Sequence, residues 1–377
     1  MRSGQTEGAR KLAPRVPAME RPPPTLAALG QQKLKALCAA VGMESSGGTL
    51  LRTFDLLSRT WANRTRDCPP PACDITDDGS PFEFSLALDG GAPELRMLIE
   101  AQGTPATPAS NWAAALQLSA DISREHGVSI ERLRTIAELF APDGETGIFS
   151  LWHAASIRPG QEPEFKVYLN PAARGSARAD STVEAALARL EQSACMAWLH
   201  QHALRRGTKD RIIYFSLDLG STVHARTKVY IAHHDATADD VERIMATVPT
   251  HVAGDALRFC NAMVGHQGPF TRRPLLTCMA FVGVMAEPQT VTLHLPVRCY
   301  ADNDQIVAER VGQLVTPLEK RLHERAVRCM VDGLLTDRTG MQTYTSFRRT
   351  SERQRRLTVY LSPEVYTARE GSASADN

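Results

Sequence analysis

The stretch Ala225-Arg226-Thr227-Lys228-Val229-Tyr230-Ile231 alternates with period two, so as a β-strand it sets Arg226, Lys228 and Tyr230 on one face and Val229 and Ile231 on the other. Upstream, Phe165-Lys166-Val167-Tyr168-Leu169-Asn170-Pro171 repeats the pattern in shorter form, with Lys166 and Tyr168 two apart. If these faces turn inward, the cations must close around something anionic, because an unpaired buried charge is strongly disfavoured. If they turn outward, they form the solvated side of an ordinary antiparallel sheet whose core side holds Val229 and Ile231. Recurrence of the pattern along the chain weighs toward the first.

Alternating runs come in five pairs: 80–89 with 94–102, 147–157 with 164–170, 211–218 with 224–232, 276–285 with 289–298, and 341–349 with 355–361. Helical sequence lies between them, and before the first pair at 25–62 and after it at 109–140. Ser181-Thr182-Val183-Glu184 reads as a capping box opening an amphipathic run to about Arg206; Thr237-Ala238-Asp239-Asp240 opens another with acids in its first turn, and Asp302-Asn303-Asp304 starts a third. Each unit is a hairpin followed by a helix pair, repeated in architecture but not in sequence. The class is α+β. Ten antiparallel strands with helices after every pair can close into a barrel with the helices outside, which removes the exposed edges. Two open α+β layers are the competing arrangement. Residues 1–24, rich in Pro, Arg and Gly, and residues 367–377, small and polar, lack periodicity and are expected to be disordered tails around one domain at 25–366.

The 43 basic and 42 acidic residues leave a net charge of +1, so no global field draws nucleic acid or an anionic membrane. Any anion binding is local. The apolar runs are too short to cross a bilayer, and the N-terminus carries basic residues without the apolar segment of a signal peptide, which points to a cytoplasmic protein. The eight cysteines are scattered, only Cys68 and Cys73 lie close together, and no CxxC pair occurs, so free thiols are expected.

Closed into a barrel, the alternation would turn inward Glu83 and Arg96 from the first pair and Lys166 and Tyr168 from the second. The third would add Arg226, Lys228 and Tyr230, the fourth His294 and Arg298, and the last Tyr344 and Tyr360. Pro81-Phe82-Glu83-Phe84-Ser85, Lys166-Val167-Tyr168-Leu169-Asn170-Pro171, Arg226-Thr227-Lys228-Val229-Tyr230, His294-Leu295-Pro296 and Val359-Tyr360-Leu361-Ser362-Pro363 resemble, in order, the successive motifs of the dimethylallyltryptophan synthase family of aromatic prenyltransferases. The resemblance covers residues from about 80 to 363. It implies the αββα barrel, ten antiparallel strands around a central chamber, in agreement with the five hairpins counted separately. The short length and Arg298-Cys299-Tyr300 are similar to the bacterial members, among them tryptophan C6-prenyltransferases.

That likeness implies transfer of the dimethylallyl group of dimethylallyl diphosphate to the indole of L-tryptophan by electrophilic aromatic substitution. Arg96, Lys166, Arg226 and Lys228, with His294 and Arg298, would hold the diphosphate, since charge-assisted hydrogen bonds suit an anionic leaving group. Tyr168, Tyr230 and Tyr360 would shield the allylic cation with electron-rich rings. Glu83 would accept the indole N–H, His153 would serve as general base, Arg211 would hold the amino-acid carboxylate, and Trp152 would line the acceptor pocket. Relatives often carry Gln-x-Tyr where this chain has Thr292-Leu293-His294, which alters one diphosphate contact.

Magnesium-dependent terpenoid enzymes need clustered carboxylates. The nearest candidate, Asp239-Asp240-Val241-Glu242, reads as a helix cap, and Asp77-Asp78 and Asp302-Asn303-Asp304 read as turn and cap acids. No metal or cofactor is therefore expected beyond the diphosphate co-substrate. The expected partners are the two small substrates, with the chain a monomer or homodimer. The same barrel acting on tyrosine, a cyclic dipeptide or a phenol, a non-catalytic barrel binding an anionic metabolite, and an interaction scaffold remain the alternatives.

Overall fold

Period-two alternation produces strands where one face meets a packed layer and the other a polar space. The computed structural model, which describes residues 23–144, 149–220, 223–331 and 333–366, contains ten of them. They are β1 (Phe82–Leu88), β2 (Glu94–Glu100), β3 (Leu151–Ile157), β4 (Glu164–Leu169), β5 (Asp210–Asp218), β6 (Arg226–His233), β7 (Leu275–Val282), β8 (Thr290–Leu295), β9 (Gln342–Arg349) and β10 (Arg355–Leu361). Each pairs antiparallel with its sequence neighbours, and β10 pairs with β1, closing the barrel. Two open layers are thereby excluded. The tails expected at 1–24 and 367–377 lie, apart from residues 23 and 24, outside the described residues, as does the start of the run expected from 147.

The hydrophobic core sits between barrel wall and helices, because the apolar face of each strand turns outward. On β1, Phe82 and Phe84 point away from the lumen and pack on Phe54 of α2 (Gly47–Ser58), with ring centroids 5.4 and 5.9 Å apart. Trp61 stacks on Phe82 at 5.5 Å. Between them Glu83 and Ser85 face inward, in register with Leu98 and Arg96 of β2. The outer layer also holds α1 (Leu26–Val41), α3 (Pro108–His126), α4 (Glu131–Ile136), α5 (Ala179–Arg189), α6 (Ser193–His202), α7 (Ala238–Met245), α8 (Asp255–Val264), α9 (Asp304–Leu314) and α10 (Pro317–Met330).

Thr237 and Asp240 form a capping box on α7, and Asn303 caps α9 through the Ile306 N–H, as the sequence suggests. The box expected at Ser181 does not form. Its helix begins at Ala179, following a short 3-10 turn, and Ser181 Oγ donates instead to the Arg178 carbonyl. The run toward Arg206 is also broken between α5 and α6, where Glu191 takes φ 61° and buried Gln192 reaches across to the Gly283 carbonyl and the Thr227 hydroxyl.

Strand direction sorts the connections by end. The short hairpin connections β1–β2, β3–β4, β5–β6, β7–β8 and β9–β10 leave from one end of the barrel, and the long helical connections from the other. The two ends are chemically different.

Candidate active site

At the hairpin end the inward residues are cationic. Arg96, Arg158, Lys166, Arg226, Lys228, Arg348 and Arg356 line a cavity of about 250 Å³ together with the acids Glu94 and Glu164. Most of the cations are held by carboxylates, buried Glu94 and half-buried Asp218 and Asp89. Asp218 of β5 takes Lys228 Nζ at 2.5 Å and Arg226 Nε at 2.5 Å. Glu94 takes Arg96, Arg158 Nε at 2.8 Å and Arg356 Nη2 at 2.8 Å, and Asp89 takes Arg158 at 2.7 Å and Arg356 at 2.5 Å. Burial alone would raise the carboxyls of Asp218 and Glu94, but the surrounding cations overcome it and hold both well below the usual range.

Lys166 and Arg348 have no carboxylate partner among the described residues. The Lys166 ammonium donates to Ser156 Oγ at 3.0 Å, and burial, then the charges of Lys228 and Arg96, brings its pKa down to about 7. Burial, then Arg356 and Arg96, brings Arg348 down to about 10. Cations pressed together at this cost are stabilised by an incoming polyanion.

Midway along the lumen a belt of rings crosses the barrel. Tyr168 lies 5.7 Å from Tyr230, Tyr230 lies 5.8 Å from His294, and His294 lies 5.8 Å from Tyr360, centroid to centroid. The Tyr360 hydroxyl meets His294 Nδ1 at 3.4 Å, and burial, then Arg96, keeps that imidazole neutral with a pKa of about 3.

Beyond the belt, toward the helical end, the lining becomes aromatic. Phe149 stacks on Trp152 at 4.0 Å, Tyr214 lies 5.4 Å from Trp152, and Ile75, from the segment preceding β1, packs into the same cluster. Tyr344 stands 6.5 Å from Tyr360, edge to face. Glu83 is buried here. Its Oε2 accepts from Thr343 Oγ1 at 2.8 Å, and burial, partly offset by that bond and reinforced by Asp77, raises its pKa to about 8.

The structure thus brings together Arg96, Lys166, Tyr168, Arg226, Lys228, Tyr230, His294 and Tyr360 around one cavity, with Glu83 and Trp152 in the lumen beyond it. Three of the expected residues lie elsewhere. His153 alternates outward from β3, opposite Ile99 and Val167, and its Nε2 shares a 2.8 Å hydrogen bond with Ser119 of α3 in the outer layer. It has no route to a reacting atom in the lumen. Arg298 falls beyond the end of β8 at Leu295, where Pro296 ends the alternation; it pairs with Asp77 at the helical end, away from the cations of the hairpin end. Arg211 sits at the helical rim opposite Ala232, is exposed, and donates to the Thr208 carbonyl at 3.1 Å.

Several residues escaped the sequence reading. Arg348 and Arg356 continue the alternation of Tyr344 and Tyr360 and were legible by that signal, as was Asp218, which stands directly opposite Lys166 and two residues along from Ser216, the partner of Lys228. Asp77, Ile75, Phe149, Arg273 and Thr343 come from loops or an irregular strand and carry no periodic mark. Asp77, expected as a turn acid, in fact binds Arg273 at 2.8 Å as well as Arg298. Asp78 does hold the turn, accepting from the Ser80 N–H at 3.0 Å.

A closed ten-strand antiparallel barrel with an outer helical layer and a cation-lined lumen is the αββα prenyltransferase architecture. The family model for tryptophan dimethylallyltransferase matches residues 60–248. The chain is similar to 6-dimethylallyltryptophan synthase from Micromonospora olivasterospora, solved in complex with DMASPP and Trp: 30% identity, TM-score 0.84, over 91% of this chain and 98% of that one. It is similar to PriB, solved as a binary complex with product diphosphate, at 32% identity and TM-score 0.83 over 91% and 97%. The 5-dimethylallyl tryptophan synthase from Streptomyces coelicolor follows at 28% identity and TM-score 0.84 over 92% and 97%. The chain belongs to the tryptophan dimethylallyltransferase family, and it is a dimethylallyl transferase.

Proposed function

We propose that the enzyme transfers the dimethylallyl group of dimethylallyl diphosphate to C6 of the indole ring of L-tryptophan, without a required metal. The observation that supports this most directly is the division of one lumen into a cationic half and an aromatic half bearing Glu83, with the ring belt between. Preference for C6 follows the 6-dimethylallyltryptophan synthase relative.

The donor's diphosphate lies among Arg96, Lys166, Arg226, Lys228 and Arg348, where fixed cations stabilise the charge that develops as its C1–O bond breaks. Tyr168, Tyr230 and Tyr360 face the allylic cation and exclude water. The indole occupies the aromatic half, its N–H donating to Glu83, which raises electron density in the ring and fixes its orientation. The ring carbon bonds to C1 of the allyl group, and the arenium intermediate then loses its proton. His294 takes the place expected of His153: it lines the cavity and is neutral, and even a weak base suffices for so acidic an intermediate.

Incubation of the protein with L-tryptophan and dimethylallyl diphosphate in EDTA, followed by mass spectrometry and NMR, tests the reading. A 6-prenylated tryptophan is expected. A product on another ring carbon or another aromatic would replace the acceptor assignment, and activity only on adding a divalent ion would overturn metal independence.

A further inference from the structure

Glu83 reaches the lumen by simple alternation, but its partner does not. On β9, Thr345 pairs with Val359 and Gln342 with Leu361, so the two residues Thr343 and Tyr344 stand opposite the single residue Tyr360. This is a β-bulge, a device that re-aims a side chain. In an unbroken strand Thr343 would share the outward face of Thr345. The bulge instead leaves Gln342 outward and frees the Thr343 hydroxyl to reach Glu83, 260 positions away in sequence.

The bulge is clamped from outside. The Gln342 N–H donates to Asp304 Oδ1 at 2.8 Å and the Met341 N–H to Asp304 Oδ2 at 3.1 Å. The Gln342 amide donates to the Asp304 carbonyl at 2.8 Å, and its Oε1 meets His323 Nε2 of α10 at 2.9 Å. Asp304 and Gln342 are fully buried, so the irregularity is built in.

We infer that Thr343 is a positioning residue for prenyl transfer: its hydroxyl anchors one oxygen of Glu83 so that the carboxyl group stays aimed at the acceptor's indole N–H. This rests on the acceptor role of Glu83 proposed above. A carboxylate offers about four lone-pair sites over two oxygens, so one bond from Thr343 leaves room for a substrate donor. The hydroxyl also donates, and therefore favours the charged form. Of the other groups near Glu83, Asp77 from the segment before β1 raises the carboxyl, whereas Tyr214 of β5 and Tyr360 of β10 are neutral phenols and Leu98 of β2 is apolar. Arg273 and Arg298 sit on Asp77 and temper its charge.

The test is the pH profile of kcat/KM for tryptophan at saturating donor, in Thr343→Val, Thr343→Ala and Thr343→Ser, with Glu83→Gln as control. Loss of the hydroxyl is expected to move the acid limb up by about one pH unit in both the Val and Ala variants. KM for dimethylallyl diphosphate should stay unchanged, and the Ser variant should restore the parent profile. An unmoved limb in Val and Ala, or a Ser variant that behaves like them, would overturn the inference while Glu83→Gln remains inactive. If Glu83→Gln is active, the acceptor role itself fails, and with it the reason for Thr343. Should the Val variant not fold, the Ala and Ser pair still decides the matter.

Discussion

The two halves of the lumen are built by opposite means. The donor half is a lattice of cations and carboxylates supplied almost wholly by regular strands and closed by tight hairpins: Arg96, Lys166, Arg226, Lys228, Arg348 and Arg356 all follow the period of two. The acceptor half takes Glu83, Trp152 and Tyr214 from strands, but Ile75, Asp77, Phe149 and Arg298 from connections and Thr343 from a bulge. A common leaving group favours a rigid, strand-borne site. A site built from loops can change its acceptor without disturbing the barrel.

The comparison breaks most sharply at Glu83. Replacing it by Gln should lower kcat by roughly 10²- to 10⁴-fold, with donor affinity nearly unchanged, because only acceptor activation is lost. Steady-state kinetics with each substrate varied in turn would reveal it. A matching rise in the donor KM would mean that the halves are not independent.

Lys228→Ala should act in reverse. With one diphosphate contact removed and Asp218 left with less compensation, kcat/KM for the donor should fall by about 10²- to 10³-fold while tryptophan binding is retained. Isothermal titration with diphosphate and with tryptophan separates the two effects.

The pH response should also divide by half. Burial lifts Glu83 from its ordinary 4.5 to about 8, so kcat/KM for tryptophan should rise with pH up to about 8, roughly tenfold per unit on the acid side. The sign for stability is opposite. Between about 4.5 and 8 the folded chain keeps a proton that the unfolded chain has lost, so the contribution of Glu83 to stability declines across that window as pH rises. Thermal melts of the parent and Glu83→Gln over this range should show the decline in the parent alone.

The smallest effect on chemistry is expected at His153. It lies in the outer layer against Ser119, and burial holds its pKa down to about 3. His153→Asn should cost about 1–3 kcal/mol of stability and leave turnover per folded molecule within a few fold of the parent. Loss of turnover in a well-folded variant would return the base assignment to it.

Both the success and the failure at these residues trace to periodicity. Lys-x-Tyr and Arg-x-Lys-x-Tyr were legible because a strand wall forces alternate residues to one side, and five such pairs separated by helical sequence leave few ways to bury their edges. His153 was misplaced because alternation lets only one of Trp152 and His153 face the lumen, and the gap before Lys166 does not say which; register with Ile99 and Val167 supplies that phase. Arg298 was misplaced because the alternation was carried past Pro296.

The amino-acid sequence by itself determined ten strands in five hairpins and the cationic and phenolic residues that share a face, since each follows from local period and residue type; Glu83 was singled out by the family resemblance. Tertiary structure alone decided which face is the lumen, at which end the cations gather, that Asp218 and Glu94 hold the cations in place, and that Thr343 reaches Glu83. Those facts depend on closure of the barrel. Closure joins β1 to β10 and sets side chains hundreds of positions apart within a hydrogen bond, a proximity that no local pattern encodes.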